Sequence, residues 1–306
     1  MVMDDRVGQF LNYLSVEKGS SNNTISAYRN DLSQFRIYLQ AAANINGDSP
    51  RWNAVDRALI IEYVSELKRR RYAEATVARK IAALKAFFAF LHQVEGLVTQ
   101  NPTENVGFRV PKSLPKPLSI REVDELLEQP ARLITPEAKR DKAMLELLYA
   151  TGLRVTELVS LDVNHVHMNR RAPHIRCVGK GSKERTIPIH KDALQALEEY
   201  LDDGRPRLVR NRHQAALFVN RRGERLTRQG FWLILKGYAK SAAIAKPVTP
   251  HTLRHSFATH MLKGGAPLRN VQELLGHANM STTQVYTKLS DDMVRQVYER
   301  AHPRAK

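Results

Sequence analysis

The chain has very little cysteine and no long apolar run. Cys177 is its one cysteine in 306 residues, which excludes an internal disulfide framework and any zinc or iron–sulfur site built from cysteines. No apolar segment approaches the roughly 20 residues that a membrane-spanning helix needs. Residues 1–10 also lack the apolar region of a signal peptide. We therefore expect a cytoplasmic protein with no membrane association.

The chain is poor in acidic residues relative to basic ones. It has 31 Asp and Glu against 48 Lys and Arg, which gives a formal net charge of +17 and a pI near 10.1. This surplus favours a polyanionic partner over a small metabolite. Residues 111–306 carry most of it. The densest segment, residues 205–228, contains eight arginines, whose planar guanidinium groups suit phosphate; a solvated basic face is the alternative.

Hydrophobic periodicity and proline content divide the chain into two domains. In residues 1–100, apolar residues recur at alternating spacings of three and four, which predicts a helical domain of four helices. Residues 101–117 contain four prolines and no periodicity, so we interpret them as a linker. Residues 118–306 then form the second and larger domain.

The second domain combines helices with a small sheet. Ser119 and Glu122 form a capping box at a helix start. Ile175 and Cys177 alternate with polar residues before a glycine-rich turn at 179–183, as do Ile187 and Ile189 after it, which predicts a β-hairpin. Residues 217–219 predict a further short strand. Helices are predicted at 138–150, 191–202, 228–243, 250–263, 268–275 and 290–300. The expected fold class is mainly α with a small β-sheet.

Several polar residues stand beside these apolar patterns in separate segments of the second domain. Arg154 follows a glycine turn at the start of a helix, and Lys180 lies at the tip of the predicted hairpin. His277 follows the glycine that ends a helix, and Tyr286 comes nine residues later. The candidate site residues are Arg154, Lys180, His251, Arg254, His277 and Tyr286.

Taken singly, each of these residues has a simpler structural interpretation. Arg154 can pair with Glu157 on one helical turn. A histidine at a helix end is more often a cap than a catalyst, and an isolated tyrosine is by default a core or surface residue. We interpret Cys177 as a small buried apolar residue. The remaining histidines of interest are interpreted as structural: His165, His167, His255 and His260.

The sequence does not match the motifs of three other enzyme classes. The histidine pair at 251 and 255 has Thr252 where a zinc protease needs glutamate. The Gly-Lys of the hairpin has His174 where a phosphate-binding loop needs its first glycine. Cys177 is followed by Lys183 rather than by the arginine of a cysteine phosphatase.

The six candidate residues, in their order and spacing, resemble the tyrosine recombinase (phage-integrase-type) family. The likeness spans about residues 120–290, and the helical N-terminal part resembles the core-binding, SAM-like domain of that family. Within the family the chain is most similar to the Xer recombinases, because it begins directly with the core-binding domain and ends in the sequence HPRA at 302–305.

The resemblance implies a function in site-specific DNA recombination, with no metal ion or ATP as cofactor. It assigns Tyr286 as the nucleophile, which forms a 3′-phosphotyrosyl link to DNA. Arg154 and Arg254 stabilise the charged transition state. Lys180 acts as general acid toward the departing 5′-oxygen, and His251 acts as general base. His277 hydrogen-bonds a non-bridging phosphate oxygen.

The resemblance also implies partners. These are double-stranded DNA, a homo- or heterotetramer on two sites that can include a second Xer-type recombinase, and a DNA translocase as activator. The helix predicted at 290–300 is expected to pack in a neighbouring subunit, with packing on its own domain as the alternative. Chromosome or plasmid dimer resolution is the expected role. A mobile-element integrase, a type IB topoisomerase-like enzyme and an inactive DNA-binding protein remain alternatives.

Overall fold

The computed structural model describes residues 5–42, 52–104, 106–107, 116–169, 171–178, 184–276 and 291–305. Contacts within the chain define two compact units, Met1–Ser113 and Leu114–Lys306. Within the described ranges both units are mostly helical, and the one β-sheet lies in the second, which confirms the predicted fold class. No helix in these ranges is long and apolar enough to cross a membrane.

The first unit is a helical bundle around an aromatic core. Its helices are α1 (Asp5–Val16), α2 (Asn22–Ala42), α3 (Arg57–Arg69) and α4 (Glu74–Gln93). Phe35 on α2 contacts Tyr63 on α3 and Phe88 on α4, with ring centroids 4.8 and 6.4 Å away. Trp52 and Phe87 complete this buried cluster. The helices predicted from the spacing of apolar residues are therefore confirmed, and each contributes its apolar stripe to one core.

The second unit is built around a single buried helix, α6. Its helices are α5 (Ile120–Glu128), α6 (Pro136–Thr151), α7 (Val155–Ser160), α8 (Lys191–Glu199), α9 (Arg205–Leu208), α10 (Arg228–Ser241), α11 (Pro250–Lys263), α12 (Leu268–Leu275) and α13 (Asp291–Ala301). Every residue of α6 from Ala143 to Thr151 is buried, because α8 and α11 both pack against it. A helix covered on all sides provides a rigid base for the segment that follows it.

The sheet is antiparallel and has the strand order β1 (Val166–His167), β2 (His174–Val178) and β3 (Glu184–Pro188). Ile175 and Ile187 lie opposite each other and are fully buried. The two strands of the predicted hairpin are confirmed, while its turn lies outside the described residues. Strand β1 was not predicted, because two residues are too few to show an alternation.

The strand predicted at 217–219 is wrong. This segment is buried, but it pairs with two different parts of the chain, so no ladder of consecutive pairs forms. The Leu217 amide donates to the Leu161 carbonyl, whereas the Phe218 carbonyl accepts from the Leu226 amide. Apolar content alone does not separate such a buried connecting segment from a strand.

Helix α13 packs against its own domain in the single chain, and the expectation that it packs in a neighbouring subunit stays a prediction. Val294, Tyr298 and Ala301 are buried in the core of the second unit, against α11 and β3. The contact with α11 is so close that a Cβ atom at Gly264 would lie 2.1 Å from the Ala301 carbonyl oxygen. In the single chain the helix covers its apolar stripe on the surface available to it, which is its own domain.

Candidate active site

Arg154 is positioned by the sharp turn between α6 and α7. Gly152 ends α6 with φ at 59°, in the left-handed region that glycine favours. A Cβ atom there would lie 2.4 Å from Cδ1 of Phe257, so the turn also needs glycine for space. Two residues later Arg154 is the N-cap of α7, and its side chain is 45% exposed. The turn therefore presents a guanidinium group at the surface from a rigid base.

Glu157 holds Arg154 in this position. Its carboxylate accepts from the Arg154 amide at 2.7 Å and from Nη1 of the same arginine at 3.2 Å. The sequence interpretation of Glu157 as the structural partner of Arg154 is thus confirmed. Burial raises the pKa of Glu157, but hydrogen bonds from Arg185 and from the Arg154 amide outweigh it and hold the pKa below its ordinary value. Glu157 is therefore charged at neutral pH.

Arg254 lies on α11 and is only 8% exposed. Its Nη1 donates to the Gly152 carbonyl at 2.6 Å, and its Nη2 donates to the Leu275 carbonyl at 2.8 Å. These carbonyls lie at the C-terminal ends of α6 and α12, where the helix dipoles favour a cation. Burial, together with the neighbouring charge of Arg154, lowers the pKa of Arg254 to about 10. Arg254 accordingly stays protonated at neutral pH.

The C-terminal end of α12 is the point on which the arginines converge. Arg154 donates to the carbonyls of Leu275 and Gly276, at 3.4 and 3.3 Å, and Arg254 shares the Leu275 carbonyl. Gly276 ends α12 with φ at 63°, which confirms the predicted glycine terminus. Arg185 on β3 also reaches this end, through a bond from Nε to the Leu274 carbonyl at 3.1 Å. Three guanidinium groups thus surround the residues that directly precede His277.

The histidines of α11 lie beside this cluster. Thr249 caps the helix and Pro250 occupies its first position, which places the exposed His251 in the first turn. Arg254 follows one turn later, and His255 after it is half-buried. His251 is thus accessible to a large ligand on the surface of the domain.

Half of the predicted site residues lie outside the described residues. Lys180 belongs to residues 179–183, which connect β2 and β3 along the chain, and His277 and Tyr286 belong to residues 277–290. The described ranges therefore contain Arg154, His251 and Arg254 of the predicted set, and they bring Arg154 and Arg254 together on one carbonyl.

Arg185 was missed by the sequence analysis. A charged residue at the start of a strand is normally a solvent-facing one, so only its position five residues after Lys180 could have drawn attention to it. Its side chain is in fact 15% exposed and binds Glu157 through both terminal nitrogens, at 3.1 and 3.0 Å. Among the described residues, the cluster therefore contains three arginines and one carboxylate, a net charge of +2. This arrangement favours an anion such as a phosphate group.

The arginine-rich segment at 205–228 is used in a different way from the one predicted. Arg205 donates to the carbonyls of Gln214 and Ala216, at 2.6 and 2.8 Å. Arg225 donates to the carbonyls of Val159 and Leu161 at 3.0 Å. The sequence analysis did not predict these contacts, in which Arg205 holds the segment that follows α9 and Arg225 holds the C-terminal end of α7.

Three of the residues interpreted as structural, Cys177, His260 and His165, have structural contacts. Cys177 is buried, and burial raises the pKa of its thiol to about 11. His260 is buried and bonds the Tyr149 hydroxyl at 2.9 Å, and His165 accepts from the Asp162 amide at 3.0 Å. Within the described ranges, no three His, Cys, Asp or Glu side chains are grouped closely enough to hold a metal ion.

The sequence matches two family models, which together cover most of the chain. Residues 116–293 match the phage integrase family, and residues 7–94 match the phage integrase N-terminal SAM-like domain. The chain is 53% identical over 292 residues to a protein of Herpetosiphon aurantiacus named tyrosine recombinase XerC, across 95% of this chain and 92% of that protein. It is 45% identical to tyrosine recombinase XerD of Halalkalibacterium halodurans, across 99% of both chains.

The fold is shared with solved structures of lower sequence identity. The XerH site-specific recombinase bound to its difH substrate superposes with a TM-score of 0.67 at 23% identity, over 95% of this chain and 83% of that one. A lambda integrase dimer bound to a core site gives the same TM-score at 18% identity, over 94% of this chain and all of that one.

Proposed function

This chain belongs to the phage integrase family of tyrosine recombinases, site-specific enzymes that cut and rejoin DNA, and we propose that it is a Xer-type resolvase of chromosome or plasmid dimers. Its substrate is double-stranded DNA that carries two copies of a recombination site. The six residues that perform the reaction are Arg154, Lys180, His251, Arg254, His277 and Tyr286.

The convergence of Arg154 and Arg254 on the end of α12 is the observation that best supports this proposal. Both arginines are fixed by hydrogen bonds, and the cluster has a net positive charge that the one carboxylate of Glu157 does not balance. Phosphoryl transfer places negative charge on the two non-bridging oxygens, and fixed donors at that point are the main requirement for catalysis.

The reaction conserves the energy of the phosphodiester bond. The Tyr286 phenol oxygen attacks the scissile phosphorus while the bond from phosphorus to the 5′-oxygen breaks. His251 takes the phenol proton, and Lys180 gives a proton to the departing 5′-oxygen. The products are a 3′-phosphotyrosyl link and a free 5′-hydroxyl. Attack by the 5′-hydroxyl of the partner strand on this link reverses the chemistry and rejoins the DNA.

Recombination of two sites needs four subunits, one for each strand that is cut. The assembly is a tetramer of this chain, or of this chain with a second Xer-type recombinase, and a DNA translocase activates it. The enzyme works in the cytoplasm, where a bacterial chromosome is accessible. XerC and XerD relatives at 53 and 45% identity support the Xer assignment.

A covalent-trapping selection tests the proposal and finds the target sequence in the same experiment. The probe is a library of nicked duplexes with a randomised centre, in which the short fragment released by cleavage diffuses away and leaves the adduct. We expect the protein to become linked to DNA, and the trapped sequences to define a duplex that all later experiments use. Mapping of the adduct by peptide mass should identify Tyr286.

Two tyrosine variants control this experiment. Tyr286→Phe should give no adduct, while Tyr298→Phe should react normally. Burial raises the pKa of Tyr298 well above its ordinary value, so its phenol is a poor nucleophile. An adduct on Tyr298 would contradict the assignment. Relaxation of supercoiled plasmid by the monomer, without selection of a sequence, would instead identify a type IB topoisomerase-like enzyme.

A further inference from the structure

Arg185 forms a bidentate ion pair with Glu157. Its Nη1 and Nη2 donate to the two oxygens of Glu157 at 3.1 and 3.0 Å, in the parallel geometry that makes arginine–carboxylate pairs strong. Both side chains are largely removed from water, at 15 and 9% exposure. Removal of one partner of such a pair is destabilising, because the remaining charge is largely removed from water and has lost its counter-charge.

The third donor of Arg185 acts on a different segment. Its Nε bonds the Leu274 carbonyl at 3.1 Å, near the end of α12. The contact with the next turn is tight, since a Cβ atom at Gly276 would lie 2.9 Å from Nη1 of Arg185. One planar group therefore holds the carboxylate of α7 and the Leu274 carbonyl of α12 together.

Arg185 also connects these segments to the hairpin. It is the second residue of β3, which begins directly after residues 179–183, the segment of the sequence that contains Lys180. Glu157 in turn fixes the amide and the guanidinium group of Arg154. A displacement of Arg185 would therefore also displace Arg154 and the backbone that precedes His277.

The same contacts argue against Arg185 as a direct phosphate ligand. Both terminal nitrogens of Arg185 donate to the Glu157 carboxylate, which offsets its charge, whereas Arg254 donates to neutral carbonyls and keeps its charge for a phosphate. Arg154 is three times as exposed and has longer, weaker bonds to its carbonyls. Phosphate therefore meets Arg154, with Arg185 behind it.

We propose that Arg185 is a positioning residue of this recombinase, which acts through Glu157 and the end of α12 to hold Arg154 and the segment before His277 in their reactive arrangement. The inference rests on the proposed function, and it adds a residue that the six-residue site does not contain. Misplacement of a reacting group by about 1 Å can slow a reaction on the order of 100-fold.

Single-turnover cleavage of the selected duplex by Arg185→Met, Arg185→Lys and Arg176→Met tests the proposal. Arg185→Met should bind the duplex within about threefold of the unaltered protein but cleave it about 10- to 100-fold more slowly at saturation. Arg185→Lys restores the charge without the fork, so its rate should be intermediate. Arg176 is in the same hairpin and bonds His167 instead of Glu157, so Arg176→Met should cleave normally once the duplex is bound.

The pH profile separates positioning from mere stabilisation of the fold. Without Arg185 the buried Glu157 loses its main hydrogen-bonding partner, so its pKa rises and it protonates at higher pH. The acid limb of the cleavage profile of Arg185→Met should therefore move to higher pH. The double variant Arg185→Met/Glu157→Gln should lack this displacement, because no carboxylate remains to titrate.

Three results would overturn the proposal. Equal losses of binding and cleavage in Arg185→Met would make Arg185 a phosphate ligand. A lowered melting temperature with unchanged cleavage would make it structural only. Full rescue by a duplex with a 5′-bridging phosphorothiolate, whose thiolate leaves without a proton, would show that it acts on Lys180 alone. Failure of the unaltered protein to form any adduct would instead count against the proposed function.

Discussion

Arg154 and Arg254 donate hydrogen bonds to the same acceptor, the carbonyl oxygen of Leu275, at 3.4 and 2.8 Å. The two arginines differ in their surroundings, because Arg154 is near the surface and Arg254 is buried. The shared carbonyl brings two like charges together at the end of α12, where the helix dipole offsets part of their repulsion. This relationship predicts different consequences for the loss of each arginine.

Replacement of either arginine by alanine should slow cleavage about 100- to 1,000-fold, the usual effect of one lost transition-state donor. Binding should fall much less, because most affinity for DNA comes from contacts spread along the backbone. Only Arg254→Ala should also lower stability, by about 1–3 kcal/mol, because it removes the Arg254 donor from the Gly152 carbonyl and leaves the Leu275 carbonyl with the longer bond from Arg154. Single-turnover cleavage, gel-shift titration and thermal unfolding measure the three effects. Parallel losses of binding and cleavage would show ordinary phosphate clamps.

Gly152→Ala should be much more damaging than Gly265→Ala. Both glycines have positive φ, at 59 and 91°, so alanine is strained at either position. A methyl group at Gly152 would also collide with Phe257 at 2.4 Å, whereas nothing lies within 4 Å at Gly265. We expect a loss of about 1–2 kcal/mol for Gly265→Ala and about 2–3 kcal/mol more for Gly152→Ala, measured by denaturant unfolding. Equal losses would mean that the turn tolerates a side chain.

The sequence predicted the neighbours of these residues along the chain but not their neighbours across the fold. Apolar spacing placed α11 and α12 correctly, so it put Arg254 on a helix and His277 after a helix end. The convergence on Leu275 joins residues 121 positions apart, and no local pattern contains that information. Arg185 was missed for the same reason, since its partner Glu157 lies 28 residues earlier. Similarly, composition cannot distinguish a guanidinium group that binds phosphate from one that binds carbonyls, as Arg205 and Arg225 do.

Two buried histidines, one at the start of α8 and one in the C-terminal segment, should make stability depend on pH. His190 and His302 are buried and stacked with ring centroids 4.9 Å apart, and burial lowers the pKa of each to about 3. Because these values lie below the unfolded value near 6.5, the unfolded chain binds more protons between pH 3 and 6.5. Stability is therefore complete above pH 6.5 and falls as pH decreases, by about 1–2 kcal/mol per histidine at pH 5.

A comparison with His302→Phe isolates this effect from the carboxylates. Burial raises the pKa of Glu146, although the charges of Arg304 and Lys142 act to lower it. A raised carboxyl pKa makes the folded state more stable at lower pH, so the effect of Glu146 on stability is opposite in sign to that of the histidines. We expect the free energy of unfolding of His302→Phe to fall less between pH 7.5 and 5 than that of the unaltered protein. Identical pH dependence in the two proteins would mean that the pKa of His302 is not lowered in the folded state.

Arg304→Met should release the C-terminal segment from its own domain. Arg304 contacts Asp124 at 3.1 Å, Glu146 at 3.1 Å and Asp192 at 2.8 Å. Glu146 is fully buried. Once Arg304 is lost, Lys142 is the only described residue that still forms an ion pair with its carboxylate. We expect a loss of about 2–3 kcal/mol, against less than about 1 kcal/mol for Arg207→Met, whose pair with Asp203 is exposed. Partial recovery in Arg304→Met/Glu146→Gln would attribute the loss to the buried charge.

The same variant tests whether the packing of α13 on its own domain competes with assembly. If subunits in the tetramer exchange α13, each must first undock it, and the contacts of Arg304 oppose that step. Arg304→Met should then bind a single site with unchanged affinity. On a two-site duplex its cooperativity should differ from that of the unaltered protein, because the variant both frees α13 and alters the surface on which α13 docks. Removal of residues 291–306 should abolish cooperative occupancy altogether. If gel-shift titration shows that the truncated protein still fills both sites cooperatively and recombines them at the normal rate, α13 serves only its own domain and subunits do not exchange it.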